Sequence, residues 1–134
     1  MAKTILQLID GDWVESRSRE LIEVTDPATQ HVLALAPKAT HEEIEAAIAS
    51  AKQAFLSWRE VPVSDRARLM LRYQHLLKEH HDELAEILAK ETGKTLADAK
   101  GDVWRGIEVV EQAANIASLM MGETVENVAR DIDT

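Results

Sequence analysis

From Thr40 to Met121 apolar side chains return every three or four residues, which limits the chain to folds in which several helices lie side by side. Thr40-x-x-Glu43 has capping-box spacing: the hydroxyl can accept from the third amide of a helix while the carboxylate reaches back. Behind it Ile44, Ala47, Ile48, Ala51, Phe55 and Trp58 share one face, and Pro62 closes the run. Ser64 is the expected N-cap of a second helix. Its stripe of Leu69, Tyr73, Leu76, Leu77, His80, Leu84, Ile87 and Leu88 holds to Glu91, with Gly93 placed to stop it. At 1.5 Å per residue this helix is expected to be roughly 40 Å long, and a rod of that length needs a large body to lie against. Thr95-x-x-Asp98 marks a third start, followed by a buried face of Ala99, Val103, Gly106, Ile107, Val110, Ala114, Ala117 and Met121 up to Gly122. Gly101 and Gly106 each cost this helix about 1 kcal/mol relative to alanine. Tolerating them points to close approach of backbone or ligand.

The residues before Thr40 follow another rule. Ile5-Leu6-Gln7-Leu8-Ile9 leads into Asp10-Gly11, suited to a tight hairpin turn, and then Trp13-Val14. Leu21-Ile22-Glu23-Val24 stops at Asp26-Pro27, and Val32 to Ala36 runs into Pro37. These make a small antiparallel patch, too slight to stand alone. The expected organisation is therefore strands over 1–39, a three-helix segment over 40–123, and the start of a strand leading out over 124–134. At 134 residues this is one domain. Aromatic residues are only 4% of it, so any core is built from closely packed Leu, Ile, Val and Ala.

Several function classes fall away. A net charge of −9 with no basic stripe argues against nucleic acid and against an anionic membrane surface. With no cysteine, the chain has no disulfide, no thiolate metal site and no cysteine nucleophile. It contains no apolar run long enough to span a bilayer and no secretory or transit pattern, so a cytoplasmic location is expected. His75, His80 and His81 are not spaced four apart, as two ligands on one helical face would be, and no metal site is expected. Gly93-Lys94-Thr95 ends like a phosphate-binding loop, but Leu88 stands where that motif needs glycine and a helix precedes it. It reads as a helix stop, with Lys94 in solvent or in a salt bridge. Glu42, Glu43, Glu83 and Glu86 read as a solvated face, and nothing selects two of them for acid–base work.

Arg105 stands between Trp104 and Gly106 in an otherwise small and apolar stretch. Two readings are open. It is a structural arginine paired with Asp102 or Glu108, or a guanidinium turned to a pocket to hold a carboxylate through paired N–H donors.

The stretch Gly101-Asp102-Val103-Trp104-Arg105-Gly106, together with Leu119-Met120-Met121-Gly122-Glu123, also carries a resemblance. Broader matches are Ile9 to Ser16, Asp26-Pro27-Ala28-Thr29, Ala54 to Trp58 and Glu91 to Ala99. On these residues nearly the whole chain resembles the amino-terminal quarter of the coenzyme-A-acylating methylmalonate-semialdehyde dehydrogenases, within the aldehyde dehydrogenase superfamily. The resemblance implies an α/β fold in which these strands and helices belong to the NAD-binding domain of a three-domain subunit, assembled into dimers or tetramers. It implies a small semialdehyde substrate, with NAD and coenzyme A as cosubstrates and no metal. It places Arg105 where the family holds the substrate carboxylate. It puts the cysteine nucleophile, the glutamate base and the oxyanion asparagine beyond Thr134, so this chain alone is expected to be inactive. The expectations set against it are a helical interaction module without catalysis and a part of another semialdehyde dehydrogenase.

Overall fold

Asp10-Gly11 and Thr40-x-x-Glu43 form the turn and the cap that their chemistry favours, and together they decide how the strands meet the first helix. The computed structural model describes residues 2–134. Strands β2 (Gln7–Ile9) and β3 (Asp12–Val14) pair as a hairpin, with Leu8 opposite Trp13. Its two turn residues, Asp10 and Gly11, have φ of 57° and 84°. A pair of positive φ values is what a two-residue turn needs to match the strand twist. Ser50 Oγ donates to Asp10 Oδ1 at 3.1 Å and ties the hairpin to the helix behind it.

Strands β4 (Leu21–Thr25) and β5 (Val32–Pro37) are antiparallel, with an irregularity between Val24 and Thr25. The Asp26 carboxylate accepts from the Ala28 and Thr29 amides at 2.8 and 3.2 Å, closing the turn after β4. Strand β1 (Lys3–Thr4) lies along the other edge of β5 and runs parallel to it, with Lys3 opposite Ala34 and Thr4 opposite Leu35. The expected single antiparallel patch is thus a mixed sheet of order β1-β5-β4 and a separate hairpin. Turn residues report which sequence neighbours pair. They say nothing of a distant segment that fills an open edge, as Ile5 N–H does by donating to the Leu35 carbonyl at 2.9 Å.

Helix α1 (His41–Trp58) begins at the Thr40 capping box. Glu43 does more than cap. Its carboxylate accepts from the Thr40 amide at 2.9 Å, the Ser16 hydroxyl at 2.8 Å and the Arg17 amide at 2.6 Å, which fastens the loop after β3 to the helix. These donors, the Arg17 amide foremost and Thr40 next, hold the Glu43 carboxyl below the ordinary carboxylate range.

The expected 40 Å rod is two helices, α2 (Val63–Glu79) and α3 (His81–Thr92), broken at His80 with φ −97° and ψ 13°. A break of one residue leaves the apolar stripe nearly in phase, so periodicity passes over it; both halves pack on α4 (Leu96–Ala114). Asp82 and Glu83 in the first turn of α3 suit the positive end of a new helix. His81 Nε2 donates to the Lys100 carbonyl at 3.0 Å, and its ring meets Trp104 edge-on. Pro62 rather than Ser64 precedes α2, its carbonyl taking the Asp65 and Arg66 amides at 3.0 and 3.1 Å. Helix α4 starts at the expected Thr95 cap but ends at Asn115, before a short α5 (Ile116–Leu119). Met121, expected on the buried face, is 84% exposed. Residues 124–134 form no strand leading outward: Val125 and Thr134 exchange backbone hydrogen bonds at 2.7 and 3.0 Å, and the segment folds back on itself.

The core sits where α2 and α3 meet α4. Ala85, Ala99 and Ile107 are fully buried and Ala114 nearly so. Elsewhere apolar side chains face outward, among them Ile44, Ile48, Phe55 and Leu56 on α1, which has no buried residue. The chain exposes 10658 Å², against about 7000 Å² for a monomeric globular protein of this mass. No helix among the described residues is long and apolar enough to cross a membrane.

Two glycines should respond in opposite directions. Gly93 has φ 70°, and a Cβ there would stand 2.7 Å from Pro27 Cγ. Gly93→Ala is expected to cost at least about 1–2 kcal/mol, seen as a fall in Tm. Gly101 is helical with nothing within 4 Å of its Cβ position, so Gly101→Ala should raise stability by about 0.5–1 kcal/mol. The lowered Glu43 pKa means its stabilisation is complete above about pH 4.3 and is lost as pH falls through the depressed folded value. Thermal melts of Glu43→Gln should therefore show the largest deficit at neutral pH, with the deficit shrinking in acid.

Candidate functional site

Pro27, Gly93 and Thr95 fix the turn between α3 and α4. The Gly93 amide donates to the Ala89 carbonyl at 2.9 Å in a left-handed cap, with the Pro27 ring against it. Thr95 Oγ1 accepts from the Asp98 amide at 3.2 Å and donates to its carboxylate at 2.7 Å. Lys94 lies between these two anchors, and its Nζ pairs with Asp102 Oδ2. The salt-bridge reading of Lys94 is the one observed. This turn is a helix stop followed by a helix start, not a phosphate loop.

Asp102 is shared. Its Oδ1 accepts from Arg105 Nη1 at 2.7 Å while Oδ2 faces Lys94. Hydrogen bonding from Lys94 above all, with the nearby Arg105 charge adding to it, holds the Asp102 carboxyl below its ordinary range. Arg105 itself is 74% exposed, and this is its one hydrogen bond among the described residues. Asp102, not Glu108, is its partner, yet most of the guanidinium fork stays open. The structural reading of Arg105, paired with Asp102, is the one observed, and the guanidinium has N–H donors left over.

The surroundings are bare. Gly101 and Gly106 have nothing within 4 Å of a built Cβ, so the close backbone approach expected at these glycines does not occur among the described residues. Gly106 is exposed rather than on the buried face, and Gly101, Arg105 and the 70%-exposed Val109 form an outward strip along α4. The histidines are apart in role: His75 faces Glu79 at 3.5 Å, His80 faces Glu83 at 2.9 Å, and His81 pins α3 to α4. No group of three or more metal-ligating side chains occurs among the described residues. The connection from β5 to α1, Lys38-Ala39-Thr40, lacks the glycines of the dinucleotide-binding turn found in doubly wound folds.

Comparison with known proteins settles the lineage. The model of the aldehyde dehydrogenase family matches residues 13–133. The chain belongs to the aldehyde dehydrogenase family. Among its aldehyde dehydrogenase relatives, malonate-semialdehyde dehydrogenase 3 of Geobacillus kaustophilus is 51% identical over 132 residues, 98% of this chain and 27% of that protein. The human mitochondrial methylmalonate-semialdehyde/malonate-semialdehyde dehydrogenase, an acylating enzyme by name, is 48% identical over 130 residues, 97% of this chain and 24% of that protein. A crystal structure of a Sinorhizobium meliloti 1021 protein, assigned as a methylmalonate-semialdehyde dehydrogenase and complexed with NAD, superposes with a TM-score of 0.89 at 36% identity. It covers 99% of this chain and 27% of that one. The chain thus spans about a quarter of the length of these aldehyde dehydrogenases. The resemblance read from Asp102 to Gly106 pointed to the same group.

The link Lys94–Asp102–Arg105 was visible in the sequence only in pieces. Asp102 and Arg105 are three apart, an ordinary helical pairing. Lys94 joins them from outside the helix, at a spacing that no periodicity marks.

Proposed function

We propose that this chain supplies part of the NAD-binding domain of an NAD-dependent, coenzyme-A-acylating methylmalonate- or malonate-semialdehyde dehydrogenase. The net reaction takes the semialdehyde, NAD and coenzyme A to propionyl- or acetyl-coenzyme A, CO₂ and NADH. Arg105 carries this reading. A semialdehyde of this class has a carboxylate beside its reacting aldehyde, and an exposed guanidinium with free N–H donors is suited to hold it. Asp102 fixes one arm of the fork, so less freedom is lost when the substrate acid docks.

The sequence holds no cysteine, so these residues alone form no thioester, and we expect no dehydrogenase activity from them in isolation. We further propose that the bare apolar faces of α1 and α2 are covered by association, in a homo-oligomeric enzyme. The same bare surface would also serve a non-catalytic module that binds a partner, and the test below separates the two. In the complete subunit, Arg105→Leu should lower kcat/KM for malonate semialdehyde by roughly one to two orders of magnitude. Propanal, which lacks the acid, should be handled as before. Equal effects on the two aldehydes, or none, would refute the assignment.

A further inference from the structure

We infer that Lys94 is a positioning residue that keeps Arg105 positive toward a substrate acid, by neutralising the Asp102 carboxylate that anchors the guanidinium. This rests on the reading of Arg105 as the carboxylate-binding residue.

An anchor for a guanidinium creates a difficulty of its own. The best partner for Arg105 is an anion, and an anion beside it cancels the charge that draws the substrate and repels the substrate's own carboxylate. Here Asp102 Oδ1 takes Arg105 Nη1 at 2.7 Å, while Oδ2 is taken by Lys94 Nζ. The three groups together keep one net positive charge, in a chain whose overall charge is −9. Asp102 is thus able to hold Arg105 in place without silencing it.

The geometry makes Lys94 dependable in that task. It is flanked by Gly93, pressed on the Pro27 ring, and by Thr95, the N-cap of α4, so its backbone is fixed on both sides. Lys94 and Asp102 are the more covered members of the set, at 33% and 36% side-chain exposure, whereas Arg105 is 74% exposed. The compensating charge is therefore held back and the recognising charge is presented. The lowered Asp102 pKa, owed first to Lys94, agrees with this arrangement.

The test compares malonate semialdehyde with propanal in the complete subunit. Lys94→Ala leaves Asp102 uncompensated and should raise KM for the semialdehyde roughly tenfold, with KM for propanal unchanged. Adding Asp102→Asn to Lys94→Ala removes the stray negative charge and should bring the semialdehyde KM back to within about threefold of the original. A purely structural role predicts the reverse, since a second lost contact would make matters worse. Lys94→Arg, which keeps the charge and is the least disruptive to folding, should behave like the parent. The inference is overturned if Lys94→Ala leaves the semialdehyde-to-propanal ratio unmoved, or if the double variant fails to recover it. Failure of the Arg105 reading looks different: Arg105→Leu itself would leave that ratio unmoved, and the role given to Lys94 would fall with it.

Discussion

The fold depends on the packing of α2 and α3 against α4 around Ile107, the largest fully buried side chain. Alanine at 85, 99 and 114 lets these helices approach closely, and burial of a few aliphatic side chains at about 25 cal/mol per Å² then supplies the local stability. The other features follow from that seat. Beyond the break at His80, α3 also lies on α4, with His81 fastening the start of α3 to the Lys100 carbonyl. The α3–α4 turn, held by Pro27 on Gly93, carries the sheet onto the same helix. One face of α4 is spent on this core, and the opposite face presents Gly101, Arg105 and Val109.

On the proposed reading of Arg105, that division lets α4 pack by one face and hold a guanidinium outward on the other. A guanidinium offered to a small acid must be anchored, charged and reachable. Asp102 anchors it, Lys94 balances Asp102, and the two glycines leave the approach clear. The aldehyde dehydrogenase relatives that the chain matches are about four times as long.

Much of this was legible in the residues, because local chemistry governs local structure. Asp10-Gly11 announced its hairpin turn, Thr40 and Thr95 their helix starts, and Gly93 its helix stop. What escaped was non-local or phase-neutral. The parallel pairing of Lys3–Thr4 with β5 is set by an open edge some thirty residues away. The break at His80 involves neither glycine nor proline and keeps the apolar stripe aligned, although Asp82 and Glu83 beyond it are a recognisable first turn. The three-point clasp on Glu43 joins residues 26 and 27 positions apart, which a capping box alone does not reveal. At the site, the pairing of Arg105 with Asp102 was one of two partners open from the sequence, whereas the link to Lys94 needed its position in space.

The core is small and the uncovered surface large: 10658 Å² is about half as much again as a compact monomer of this mass would show. On the proposed reading, α1 and the exposed apolar side chains of α2 are covered by association. Sedimentation velocity of the purified 134-residue chain over a range of concentrations tests this most directly. An average mass rising with concentration above 14.9 kDa is the predicted result. A single species at 14.9 kDa throughout, stably folded and compact, would contradict it.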